Sequence, residues 1–381
     1  MLEKPTAQVK TPAGGSGVGI SDILRNWSVP IFFLVISIAG IIAARLDINY
    51  LVNEVVGRFG RNAFLVISLI IPVMAGLGLN FGIVVGAMAG QTALVIVTHY
   101  QVEGLAGFAL AAVISVPIAM LLGLLVGKVL NRAKGREMVT SMIMGYFANG
   151  IYQLVFLVLL GTLIPMKDPV LMLGSGIGLR NTIDLIGLSY SLDRAMDWLW
   201  NGFVFTSVGA ARLGPWRFPL CTLFIIGILC VLTTFITRTK LGQEMRAVGQ
   251  DMHIAQVAGI NVDRTRIIAI MMSTVLAAWG QLIFLQNLGT FNTYSSHEQV
   301  GMFSVAAILV GGATTRRATI WNAIVGTLLF HTLFVVSPLA GQRLFGVSQV
   351  GEYFRSFLAY GVIAVALALH AWQGRSSKQS K

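Results

Sequence analysis

KLGQEMRAVGQDMHIAQVAGINVDRTR, residues 240–266, is the stretch that decides how this chain is read. It separates two long apolar runs, 218–235 and 267–285. A protein that only spanned and sealed a bilayer would join such runs by a short loop. Here the connection, 239–266, is an arm built for water and patterned as two short helices. The first is expected near 242–248, with Gly249 breaking it. Asp251 is placed to cap the second through the N–H near Ile254, and Gly259 to end it. Ile254, Val257 and Ala258 share a face at i, i+3, i+4 spacing, as do Met245 and Val248. Helices of about 7 residues are not stable alone in water. The apolar face must therefore pack against something, and a partner protein is the expected occupant.

The rest of the composition points to lipid. Of 381 residues, 56% are hydrophobic and 11% charged, against about 25% charged in soluble domains. Ten apolar segments follow from a bilayer core needing about 20 residues per helix: 29–44, 62–75, 80–97, 105–127, 138–160, 218–235, 267–285, 301–310, 319–336 and 353–369. The second and eighth are short and read as tilted, broken or re-entrant. This gives an all-α polytopic membrane protein. A polar N-terminal tail (1–28) precedes the transmembrane domain (29–369), and a basic tail (370–381) follows it. The N-terminus carries no cleavable signal pattern.

Charge sets the sidedness. With an even number of spans and the N-terminus inside, 17 of the 27 basic residues fall inside for a net charge of +11, leaving +1 outside. Both termini and the arm are then cytoplasmic, and the net charge of +12 needs no nucleic-acid partner. Cys221 and Cys230 read as small apolar residues. The outside segment 162–217 carries Trp198, Trp200 and Trp216, with an interfacial amphipathic helix expected at 192–203.

Inside the spans, Gly78, Gly82, Gly86 and Gly90 recur every fourth residue in GLNFGIVVGAMAG and suit close helix packing, as do Gly123 and Gly127. Ionisable groups are nearly absent. His331 is the one placed well inside, with Glu298 at a span edge, so ion-coupled transport is disfavoured. Seven amides, Asn80, Gln91, Asn149, Gln153, Gln281, Gln286 and Asn287, suit either a path for a neutral polar solute or hydrogen bonds between helices. GLLVGKV (123–129) lacks the spacing and the Ser or Thr of a phosphate loop. No nucleotide site, metal-ligand cluster or catalytic set is readable.

The arm, followed by IIAIMMSTVLAAWGQ (267–281) and later by ILVGGATTRRATIWNAIVGTLLF (308–330), resembles membrane permeases of bacterial ABC importers of the branched-chain amino acid/monosaccharide class. That class includes ribose, xylose, galactoside and nucleoside permeases. The resemblance implies about ten transmembrane helices in the vitamin-B12-permease (type II) fold, in the bacterial cytoplasmic membrane. It also implies a second permease copy or close relative, a cytoplasmic ATPase holding ATP and Mg, and an extracytoplasmic solute-binding protein. This chain would hold no cofactor or catalytic site of its own. The coupling helix then falls at 251–258, with Arg246, Gln250, Asp251, His253, Ile254, Gln256, Val257, Ala258 and Gly259 at the ATPase surface. Asp251-Met252 stands where the family often has Asn-Pro, and 162–217 is longer than in compact sugar permeases. A monosaccharide is the favoured solute. A nucleoside comes next, from VTSMIMGYFANGIYQ (139–153), and a branched-chain amino acid last. A channel or carrier without ATP would leave the arm without a role.

Overall fold

The computed structural model describes residues 20–379 except 167, 169, 196–211 and 214–215. The order is α1 (Ile20–Ala44), α2 (Ile48–Ser68), α3 (Ile70–Met74), α4 (Ile83–His99), α5 (Gly104–Arg132) and α6 (Glu137–Leu154, continued as a π-turn at Val155–Leu159). Then come β1 (Thr182–Asp184), β2 (Arg212–Leu213), β3 (Trp216–Arg217), α7 (Leu220–Arg238), α8 (Lys240–Gln250) and α9 (Met252–Val257). The chain ends with α10 (Val262–Leu288), β4 (Thr290–Asn292), α11 (Ser296–Val310), α12 (Ile320–Phe345) and α13 (Ser348–Gln379). Helix thus reaches into both tails expected from the sequence.

Among the described residues, seven helical segments are long and apolar enough to cross a membrane: Trp27–Ala44, Ile48–Met74, Gly104–Arg132, Glu137–Leu159, Leu220–Arg238, Val262–Leu288 and Ile320–Phe345. The segment expected to be short at 62–75 is the inner half of a helix beginning at Ile48. Its first turns carry Glu54, Arg58 and Arg61, which broke the apolar pattern. The spacing sets these three on one partly buried face, and Arg58 Nε donates to Glu54 at 3.3 Å. Ionisable groups are therefore less scarce in the helices than the apolar runs suggested.

Helix α10 is the axis. At 1.5 Å per residue it is about 40 Å long, with the arm at its start and the β1–β4 ladder at its end. Helices α4 and α5 lean on it through glycine. A Cβ on Gly86 would lie 2.5 Å from the Thr274 carbonyl oxygen, and one on Gly90 2.6 Å from that of Ala278. Gly123 and Gly127 approach Met271 and Ile267 in the same way. The four-residue glycine repeat does not continue backwards along one helix. Gly78 sits in a loop at φ +70, and Gly82 caps α4.

Away from the arm, segment 160–195 folds back over the bundle. Leu171, Met172, Leu179, Ile183, Leu185 and Leu188 are buried with Phe156, Leu282, Leu285 and Phe291. Backbone hydrogen bonds tie it to the end of α10, from Leu185 N to Gly289 O (2.8 Å) and from Tyr190 N to Gln286 O (2.9 Å). His99, ending α4, meets Asp168 at 3.2 Å. Residues 186–195 form turns, so the interfacial helix expected at 192–203 does not start where proposed. The rest of that stretch, with Trp198 and Trp200, lies outside the described residues.

Candidate functional site

The arm is two helices, as its sequence requires, with different limits. Thr239 Oγ1 accepts from Gly242 N at 3.3 Å, starting α8 two residues early. The helix runs through Gly249 instead of breaking there. That glycine serves packing: a Cβ on it would fall 2.2 Å from the Met74 carbonyl oxygen. Gly76, at φ +73, faces it across the gap. The arm thus rests, backbone on backbone, on the break that follows α3. That break is itself buried, with Leu77 and Leu79 enclosed, Phe81 N donating to Ser141 Oγ at 3.1 Å and Gly82 N to Asn80 Oδ1 at 2.9 Å. Irregular backbone survives inside a bundle only when its polar groups are satisfied this way.

Asp251 caps α9 as expected, its Oδ1 accepting from His253 N (2.8 Å) and Ile254 N (3.0 Å). Gly259, at φ +83, ends the turn. The two apolar faces have different fates. Met245 and Val248 point into the protein, where Val248, Ala255 and Val262 form a small core, so this face is not offered to a partner. Ile254 and Val257 are 67% and 78% exposed. Arg246, Gln250, Asp251, His253, Gln256, Ala258 and Gly259 are exposed around them.

At the arm's root, Arg266 is wholly buried. Its Nη2 donates to Glu137 Oε1 at 2.6 Å, and its Nη1 lies 3.0 Å from the Met252 sulfur. One side chain therefore joins α10, the start of α6 and the start of α9. Beside it, Lys134 pairs with Asp263 at 2.7 Å, and Asn131 donates to the Asp263 carbonyl at 2.8 Å.

The seven amides do not line one surface. Gln91, Asn149 and Gln153 meet around His297, whose Nδ1 lies 2.8 Å from Gln91 Oε1 and whose Nε2 lies 2.8 Å from Asn149 Oδ1. Asn149 Nδ2 donates to Glu298, and Gln153 Nε2 approaches Asn149 Oδ1 at 3.4 Å. Gln286 and Asn287 instead hold Asp193, at 2.9 and 2.6 Å, together with the Thr222 hydroxyl. Asn80 caps the inner break. Gln281 is fully buried, with neither amide atom partnered. His331 is buried against Phe330 and Phe334, a core position.

Sequence reasoning missed His297, Asp193 and the Arg266–Glu137 pair. His297 precedes the apolar run of α11 and reads as loop, and its partner Gln91 is 206 residues away. Arg266 and Glu137 stand in the sequence only as charges flanking apolar runs. Their one local signal is a charge placed at a helix start beside an apolar run.

The family described as "Branched-chain amino acid transport system / permease component" matches residues 51–367. Among curated relatives, the xylose transport system permease protein XylH of Haemophilus influenzae is 29% identical over 112 residues, 29% of this chain and 30% of that protein. The nucleoside ABC transporter permease protein NupC of Lactococcus lactis is 27% identical over 150 residues, 38% of this chain and 44% of that protein. The autoinducer 2 import system permease protein LsrC of an Enterobacter strain is 23% identical over 311 residues, 81% of this chain and 78% of that protein. This chain thus spans less than half the length of the first two. No solved structure matches it. With most of its length matched, the chain belongs to the family of branched-chain amino acid transport system permease components.

Proposed function

We propose that this chain is the membrane-spanning permease subunit of an ATP-binding-cassette importer for a small neutral polar solute. The supporting observation is the arm. A helix of six residues is fixed from behind by Ala255 and Val262, while Ile254 and Val257 face outward. Two large apolar side chains among Arg246, Gln250 and Gln256 make a surface for a protein rather than for water. Its occupant is a cytoplasmic ATPase, which carries the ATP and Mg.

In this reading α4, α11 and α13 complete ten passes of the vitamin-B12-permease type. The arm and both termini are cytoplasmic in a bacterial inner membrane. A second permease subunit forms the path with this one, and an extracytoplasmic binding protein supplies solute affinity. ATP-driven closure of the ATPases moves the arms, and the rigid contacts at Gly249 and Arg266 carry that motion into α3 and α6. Related proteins named for xylose and for nucleosides support a monosaccharide first and a nucleoside second. Replacing 250–256 by a Gly/Ser linker is expected to abolish uptake of labelled ribose, xylose, galactose or guanosine while leaving membrane insertion intact. Normal uptake by that variant would remove the coupling role.

A further inference from the structure

Building on that transport reading, we propose that Gln91, Asn149, Tyr152, Gln153, His297 and Glu298 form a contact station for a vicinal diol. That chemistry is shared by a monosaccharide and by the ribose of a nucleoside.

Depth is the first argument. Asn149 lies just over three turns beyond Glu137, about 18 Å along α6; with Glu137 at the membrane face of the proposed topology, that is past the middle of a bilayer core of about 30 Å. A carboxylate, an imidazole and amides at that depth are costly against lipid and mark an aqueous path. Gln153, on α6, and Glu298, on α11, remain partly exposed there.

Unspent hydrogen-bonding capacity is the second. Glu298 orients the Asn149 amide, so Asn149 Oδ1 accepts from His297 Nε2. With Nε2–H donating, Nδ1 of the neutral ring accepts from the Gln91 amide 2.8 Å away, and one buried polar group stays without a partner: the Tyr152 hydroxyl, in a residue 6% exposed. A buried hydroxyl of this kind calls for an absent water or ligand. The Tyr152 ring stands 5.0 Å from that of His297, forming an aromatic wall beside the polar row.

The donor and acceptor set selects the ligand. One hydroxyl of a diol donates to the Glu298 carboxylate, and its neighbour accepts from an amide or from the tyrosine. No Lys or Arg pairs with Glu298 among the described residues. An anionic solute would therefore meet an uncompensated like charge, whereas a neutral hydroxyl meets an acceptor.

The test has two arms, in cells carrying the complete transporter. Uptake of labelled ribose, xylose, galactose, guanosine and leucine identifies the solute and separates the sugar source of the diol from the nucleoside source. Accumulation of leucine alone overturns the diol assignment, and accumulation of none removes the transport reading beneath it. In the second arm, Tyr152→Phe deletes a hydroxyl with no partner in the fold, so a structural role leaves uptake unchanged. The station predicts a maximal uptake rate at least five-fold lower, with half-saturation and membrane abundance unchanged, because the binding protein sets affinity. Gln153→Cys, in a chain with Cys221 and Cys230 replaced by Ser, is expected to react with a membrane-impermeant thiol reagent and to be protected by the transported solute. An unchanged maximal rate for Tyr152→Phe, with labelling of Gln153→Cys that solute does not alter, overturns the station.

Discussion

Arg266 and Glu137 stand 129 residues apart in sequence and 2.6 Å apart in the fold, with side chains 0% and 10% exposed. Because Arg266 also touches the sulfur of Met252, one buried side chain ties α9 to both α10 and α6. In the proposed importer this is the joint between the docking arm and the helix that carries Asn149 and Gln153.

Breaking the joint from one side leaves a buried charge. Glu137→Ala is expected to lower stability by about 3–5 kcal/mol, read by thermal unfolding of the detergent-purified protein. Glu137→Met with Arg266→Met removes both charges and should recover most of that loss, since apolar replacement of a buried pair is often neutral. If the double variant unfolds as early as the single one, the pair is not what holds the joint.

Gly249 tests the other contact of the arm. A methyl group there meets the Met74 carbonyl at 2.2 Å, and backbone cannot yield as a flexible side chain does. Gly249→Ala is expected to destabilise the arm by about 1–3 kcal/mol, the range for overpacked sites. Limited proteolysis should then cut within 239–266 faster than in the parent chain. Cleavage at the parent rate would show that α8 does not rest on this break.

Two glycines separate packing from helix propensity. Gly90→Val should be destabilising by about 1–3 kcal/mol, because its Cβ position is 2.6 Å from the Ala278 carbonyl oxygen. Gly227→Ala, in α7 with nothing near its Cβ position, should stabilise by up to about 1 kcal/mol through helix propensity alone. Thermal unfolding of both variants reads the contrast, and equal responses would contradict it.

The sequence carried the arm well and the bundle's interior poorly, for physical reasons. Caps are local, so Asp251 and Gly259 were readable from a few neighbours. The shared face of Ile254 and Val257 was readable from their spacing. Which apolar face turns inward is not local, and Met245 and Val248 went to the protein's own core. Apolar runs located every long helix but cut α2 at residue 62, since its polar turns form a buried face only when other helices pack on it. The amides were found by type. Their division between His297 and Asp193 depends on pairings across more than ninety residues.

That division has its own consequence. Gln286 and Asn287 act mainly as ties, so Asp193→Leu leaves their amide groups and the Thr222 hydroxyl unpaired, on the order of 1–3 kcal/mol for each donor. Thermal unfolding of Asp193→Leu should fall well below that of the parent. An unchanged unfolding temperature would return these amides to the list of path-lining candidates.

The most direct measurement is to extract the protein from its native membrane in mild detergent and identify the co-purifying chains by mass spectrometry, beside an Ile254→Asp/Val257→Asp variant. The importer reading predicts a stoichiometric ATPase with the parent and its loss from the variant, whose abundance stays unchanged. A parent chain that emerges alone and conducts solute in liposomes without ATP would contradict it.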